Sequence, residues 1–244
     1  MSTRLFAFAL VSLLTAVTLT ACSSATDVDP ERASFAIDGE EVTISMESSG
    51  DISLRPGDVD EIEVTRWFTG GGDEASWDFT GDELTLAVEC GFLSSCEVRY
   101  EVVVPRTVAV FLRGSNADVL ATGFEAPLDI RTENGAIIVE DIEGDLSLRS
   151  TSGDQQAKGL TAQRVEAQAS SGAVDLFVTE APSRLAVATE NGAVSVQLPD
   201  AAYALSVQTD SGSIENSFTD DSRSPHTIAV TTANGDIALT RTGP

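Results

Sequence analysis

Few residues of this 244-residue chain are able to do covalent or acid–base chemistry: one histidine (His226), three cysteines (Cys22, Cys90, Cys96) and one lysine (Lys158). His226 closes Asp220-Asp221-Ser222-Arg223-Ser224-Pro225-His226, from which a Ser, His and Asp trio could be drawn. No Gly-x-Ser-x-Gly elbow accompanies it, and this composition is ordinary for a loop. Carboxylates are the opposite case, because among 39 acidic residues pairs suited to glycoside hydrolysis are unavoidable and none stands out. Calcium ligands would come from Asp58, Asp60 and Glu61, and from Asp118, Asp154 and Asp236 on turns, yet neither an EF-hand loop nor a Gly-Gly-x-Gly-x-Asp nonapeptide is present. Two thiols and one distant histidine make a poor zinc set. The chain reads as non-enzymatic, with no cofactor and no metal site.

Cys22 has a different use. Met1-Ser2-Thr3-Arg4 is a short basic start, Leu5 to Thr20 is apolar but short for a membrane span, and Leu19-Thr20-Ala21-Cys22 closes the segment. These last four residues resemble the lipobox of bacterial lipoproteins. The resemblance implies that residues 1–21 are a signal peptide and that Cys22 becomes the lipid-bearing first residue of the mature chain. The alternative is an ordinary signal peptide with a chance cysteine. Residues 22–33 contain almost nothing apolar and read as a flexible tether. The expected location is extracytoplasmic, on a membrane and not through it.

With Cys22 assigned to lipid, Cys90 and Cys96 form an even pair bracketing Gly91-Phe92-Leu93-Ser94-Ser95 between two alternating strands. In an oxidising compartment a local disulfide is the natural reading. Aromatics gather nearby: Trp67, Phe68, Trp77 and Phe79 flank Gly70-Gly71-Gly72. They suggest either a binding patch for sugars or a partner, or a plug for the end of a core.

The elements that must position these groups are announced by a repeated phrase. Glu133-Asn134-Gly135-Ala136-Ile137 recurs around Gly172, Gly192, Gly212 and Gly235, more weakly around Gly153, and in altered form around Gly50. From Gly135 onward the steps run from 18 to 23 residues, a period typical of stacked repeats. Aliphatic or small apolar residues sit seven and five positions before each glycine from Gly135 onward, as in Leu128 and Ile130, and most copies return to aliphatics two and four after it, as in Ile137 and Val139. Alternation on both sides of a turn gives two short strands per repeat. At Gly153 the following positions are Gln155 and Ala157, so that rung is the weakest.

Two topologies satisfy the pattern. Asn-Gly between strands is a hairpin signal and would build an antiparallel meander. Constant offsets favour a parallel β-solenoid, in which equivalent residues stack in columns and glycine serves a corner where a side chain would clash. The expected fold is therefore all-β: an N-terminal β region over 34–113 carrying the disulfide loop, its strands from about 58 to 113 forming an antiparallel cap, and a β-repeat region over 114–244, the two read as one continuous domain. In the altered copy Val42, Ile44 and Met46 are one position out of register with Gly50, as in a terminal repeat.

The formal charge of −25 repels nucleic acid and anionic headgroups. The repeated Ser/Asn-Gly-x-aliphatic phrases behind such a leader, over roughly Phe35 to Thr240, resemble the DUF4097 family of bacterial adhesin-like proteins. That resemblance implies a β-solenoid-like, non-enzymatic envelope protein and carries over no catalytic residue. The expected function is adhesion, scaffolding or interaction in the cell envelope, with the membrane reached through the lipid and cell-wall polysaccharide or another envelope protein as partner. Two other classes stay open: a carboxylate-dependent polysaccharide binder or enzyme, and an accessory to envelope stress signalling.

Overall fold

The structure is a computed structural model that describes residues 28–47, 49–69, 74–89 and 96–243. Its N-terminal strands are β1 (Glu31–Ala36), β2 (Glu41–Met46), β3 (Gly50–Gly57), β4 (Glu61–Thr69), β5 (Glu74–Thr80), β6 (Glu83–Glu89) and β7 (Glu97–Pro105). The long β8 (Ala109–Thr122) leads into β9 (Leu128–Asn134), β10 (Ile137–Glu140), β11 (Leu146–Ser152), β12 (Gln155–Leu160), β13 (Arg164–Ser171) and β14 (Val174–Val178). The last six are β15 (Arg184–Asn191), β16 (Val194–Leu198), β17 (Ala204–Ser211), β18 (Ile214–Asn216), β19 (Thr227–Asn234) and β20 (Ile237–Arg241).

Each repeat contributes one strand to each of two facing sheets, and each strand pairs in parallel with its counterpart in the next repeat. Sheet B runs β6, β2, β8, β9, β11, β13, β15, β19, β17. Sheet A runs β7, β3, β8, β10, β12, β14, β16, β20, β18. β8 supplies both sheets, its first half pairing in sheet B and its second half in sheet A. This is a parallel β-solenoid, and the antiparallel meander is excluded by the pairing sense.

The offsets read from the sequence face the interior. Leu128, Ile130, Ile137 and Val139 are buried, as are Leu185, Val187, Val194 and Val196. In β2 the shifted set Val42, Ile44 and Met46 is buried too. The copy around Gly50 is not a terminal rung, however. β6 and β7 return outside β2 and β3 and cover them in parallel, so the antiparallel part of the cap consists of β5 on β6, β4 on β7 and β1 on β4. At the other end chain order is again broken. β19 lies between β15 and β17, and β20 between β16 and β18. The residues explain the exchange: β20 offers Ile237 and Leu239 to the core, whereas β18 offers Ile214 followed by Asn216, which only an end rung tolerates.

The corner glycines stack. A Cβ at Gly192 would run into the carbonyl oxygen of Gly172, one at Gly235 into that of Gly192, and one at Gly212 into that of Gly235; Gly172 meets Gly153 and Gly153 meets Gly135 in the same way. At Gly50 the obstruction is Val98 on β7. Positive φ is part of the requirement at Gly135 (113°) and at Gly153 and Gly172 (133°). At Gly192 φ lies outside the left-handed region, so there the close approach of backbone alone demands glycine.

The weak rung looks as its sequence suggests. Gln155 is fully buried in the aliphatic column, its Nε2 donating to Ser150 Oγ (2.9 Å) and the Gln168 carbonyl (2.7 Å), while its Oε1 has no partner. The register shifts between Ala157 and Leu160.

Candidate functional site

Residues that alternate with the buried ones must face solvent, and on sheet B they make a charged floor. Arg113, Arg131 and Arg149 occupy one register column across β8, β9 and β11. Arg164 and Arg184 stack at the start of β13 and β15. Between them stand Asp129, Asp145 and Glu166. Arg131 Nε donates to Asp129 Oδ1 (2.9 Å), Arg149 reaches both Asp129 (3.1 Å) and Glu166 (3.1 Å), and Arg164 pairs with Asp145. Two adjoining hollows of about 380 and 410 Å³ lie over this floor, the first bounded by Asp129, Arg164 and Glu166, the second by Arg131, Arg149 and Gln168. Beyond β13 the floor turns flat and small, with Ala186 and Ala188 beside Ala229 and Thr231. Arg131 stays half exposed and Arg164 more so. Exposed pairs of this kind add only about 0–1 kcal/mol each, so stability does not account for the concentration. Five of the fourteen basic residues of a chain with charge −25 lie on this face.

The corner acids have a structural use. Asp118, Asp154 and Asp236 each accept the backbone N–H of the next rung's corner, from Ala136, Ala173 and Ser213 respectively (2.8 Å each). The Ser213 N–H, and then its hydroxyl, hold the Asp236 carboxyl below the ordinary carboxylate range. Asp58 pairs with Arg106 (2.6 Å), which lowers its pKa in the same direction. Among the described residues no three His, Cys, Asp or Glu side chains converge as a metal set. Asp51 departs from the pattern, since its register neighbour is Asp118. Partial burial, then the Asp118 charge, raise its pKa.

The four cap aromatics do not form one patch. Phe68, Trp77 and Phe79 pack against the core, with Phe79 also against the Phe35 ring (5.6 Å). Trp67 alternates to the opposite side of β4. Against Trp77 lies a cation: Arg66 is buried, its guanidinium 4.0 Å over the Trp77 ring and its Nη2 paired with Glu31. Nothing in the sequence marks Arg66 except its place in the inward alternation Ile62, Val64, Arg66, Phe68.

The family model described as Toastrack DUF4097 matches residues 36–240. The chain belongs to that family. Among curated proteins none matches this DUF4097 chain. Among solved structures it is similar to a proposed adhesin from Bacteroides fragilis NCTC 9343, with 13% identity, a TM-score of 0.46, and coverage of 88% of this chain and 97% of that one. A proposed adhesin from Parabacteroides distasonis ATCC 8503 gives 12%, 0.40, 87% and 98%, and a proposed lipid-binding protein from the same strain gives 11%, 0.34, 88% and 97%.

The remaining candidate residues of this DUF4097 protein fall as follows. Cys22 and Cys90 lie outside the described residues, and Cys96 immediately precedes β7. His226 Nδ1 lies 2.9 Å from the Pro182 carbonyl and must donate to it, and its ring stands edge-on to Tyr203 (6.1 Å). Ser224 Oγ accepts the His226 backbone N–H and donates to the Ala202 carbonyl. The Ser, His and Asp trio is thus not assembled; the insertion packs Phe218 and His226 on Tyr203 and carries the chain to its last coil. The arginine ladder was missed in the sequence, although an Arg four before Gly135 and four before Gly153 was there to be seen.

Proposed function

We propose that this protein is a non-enzymatic, lipid-anchored interaction module of the cell envelope that holds an extended ligand along the outer face of sheet B. The observation that carries the reading is the arginine ladder in its hollow. Successive rungs stand about 4.8 Å apart, so the guanidinium groups repeat along a line, as the groups of a linear polymer do. A guanidinium fork donates several parallel hydrogen bonds to carboxylate or hydroxyl oxygens, and the interleaved Asp129, Asp145 and Glu166 accept from sugar hydroxyls. A cell-wall polysaccharide is the ligand with both kinds of group. The net negative charge elsewhere confines an acidic chain to this face.

The leader supports the location. A basic start, an apolar run and Ala21 before Cys22 occur in the order lipid attachment needs, and two acyl chains suffice for stable anchoring. A Cys90–Cys96 bridge fits the same oxidising setting. Immobilised protein should retain purified polysaccharide from the producing cell's own wall, and Arg131→Ser with Arg149→Ser should release it. Detergent partition should be lost in Cys22→Ser. Equal retention by the double variant would refute the ligand face, and unchanged partition without lipid mass on Cys22 would refute the anchor.

Among the described residues, polysaccharide hydrolysis finds a foothold at Asp51, which stands beside its register neighbour Asp118 and whose pKa is raised by partial burial and by that charge, as suits a general acid. Turnover of wall polysaccharide that disappears in Asp51→Asn would establish that second reading.

A further inference from the structure

The charged floor of sheet B holds more cations than it neutralises, and the surplus has a place. Arg113, Arg131, Arg149, Arg164 and Arg184 stand there against Asp129, Asp145 and Glu166. The carboxylates hold the three central arginines: Arg131 and Arg149 meet at Asp129, Arg149 reaches on to Glu166, and Arg164 takes Asp145. Arg113 and Arg184 are exposed, and among the described residues neither side chain has an ion pair or a hydrogen bond.

The two free cations lie at opposite corners of the floor. From β8 to β15 the sheet takes four steps, through β9, β11 and β13. Val110 and Leu185 belong to one register column across those strands; Arg113 follows Val110 by three residues and Arg184 precedes Leu185 by one. At about 4.8 Å per rung and about 3.3 Å per residue, the two Cα atoms are about 23 Å apart on a diagonal. Its midpoint is Ser147 on β11, a small residue whose hydroxyl accepts from Arg149 Nη1 (2.6 Å). The hollow of about 380 Å³ follows the same line, from Arg184 over Ser147 to the half-buried ring of Phe111, two residues before Arg113.

This layout separates two kinds of contact. An anionic group over the middle of the floor meets arginines already neutralised, and the repulsion of Asp129, Asp145 and Glu166 besides. The same group at Arg113 or Arg184 displaces only water and finds the guanidinium fork open. Hydroxyls have the reverse preference, since the central carboxylates accept from them and Phe111 offers a flat apolar face to a sugar ring.

Given the ligand face proposed above, on which this step depends, we infer that the ligand is a sparsely acidic polysaccharide. Its anionic groups, about 23 Å apart, sit on Arg113 and Arg184, and uncharged sugars lie between them over Ser147. A polymer with an acid on every residue sets charges against Asp129 and Glu166 and is selected against. A neutral polymer leaves both end arginines unused. Carboxylate and phosphate fit the guanidinium fork alike.

The test uses the full chain, immobilised in detergent, and polysaccharide purified from the producing cell's wall, with retention measured from low to high salt. Wild-type retention should fall as salt rises. Arg113→Ser with Arg184→Ser should weaken it severalfold at low salt and leave a remainder that salt no longer changes, whereas Arg131→Ser with Arg149→Ser should release the polymer at every salt. Reducing the polymer's carboxyl groups to alcohols, or removing its phosphates with hydrofluoric acid, should reproduce that weakening on wild-type protein, and the effective treatment names the anion. Polygalacturonate, with an acid on every residue, should compete poorly. Wild-type retention and salt dependence in the Arg113→Ser, Arg184→Ser variant, with release by Arg131→Ser and Arg149→Ser, would overturn the sparse-acid ligand and leave the ligand face standing. Wild-type retention by both variants would overturn the face itself. Polygalacturonate competing as strongly as the wall polysaccharide, or wild-type retention indifferent to salt, would also exclude a sparsely acidic ligand.

Discussion

Replacing Gly192 by alanine isolates the physics of the corner column. Backbone preference alone predicts almost no cost, since φ at Gly192 lies outside the left-handed region and alanine accepts extended backbone. The stacked corner predicts otherwise. The new methyl would meet the Gly172 carbonyl oxygen closer than real Cβ atoms approach backbone, and both neighbouring bonds, Gly172 N–H to Asn191 O (3.1 Å) and Gly192 N–H to Asn234 O (3.0 Å), bear the displacement. Overpacking costs about 1–3 kcal/mol and weakening two net hydrogen bonds about 1 kcal/mol more, so a loss of about 3 kcal/mol is expected. For a domain of this size that corresponds to about 6–12 °C in Tm. Two controls bracket it. Ala193→Val changes an exposed position and should shift stability by less than about 0.5 kcal/mol. Gly81→Ala faces open space at φ 65° and should cost about 1–2 kcal/mol of left-handed strain. Thermal and urea unfolding of the three variants decide the matter. Gly192→Ala melting with Ala193→Val would refute the stacked-corner account.

Three further outcomes follow from the site chemistry. Asp236 has a depressed folded pKa, so the stability it lends the end rung is present above the ordinary carboxylate range and lost as pH falls through the folded value; amide exchange in β17 and β18 should speed up in acid before that of β11, and Asp236→Asn should remove the difference. Asp51 is raised by burial and by Asp118, so its ionised form opposes folding at neutral pH; Asp51→Asn should raise Tm at pH 7 and leave it unchanged in acid below the ordinary carboxylate range, as measured by calorimetry. Cys90 and Cys96 should resist alkylation until reduced, and mass spectrometry finding two free thiols in exported protein would contradict the bridge.

The repeat was legible because burial in a solenoid depends on position within a rung, and the same offsets recur. Chain order was harder. The exchange of the last two coils turns on Asn216, which stands where other rungs carry Val139, Ala157, Leu176, Val196 and Leu239, a difference visible in the sequence but meaningful only once an open end is known. Likewise the shifted Val42, Ile44 and Met46 read as terminal, yet covering by β6 and β7 is a long-range pairing that local pattern does not encode. The arginine ladder was hidden for a third reason: Arg131 and Arg149 lie 18 residues apart, and only stacking makes them neighbours.

The central claim, that the outer face of sheet B is where this protein holds its ligand, is tested most directly by amide chemical-shift mapping during titration with the cell-wall polysaccharide. Perturbations should follow β9, β11, β13 and β15 in a line across the rungs and fade in the Arg131→Ser, Arg149→Ser variant. Shifts confined to the cap around Trp67 and Trp77, or none at saturating polysaccharide, would contradict it.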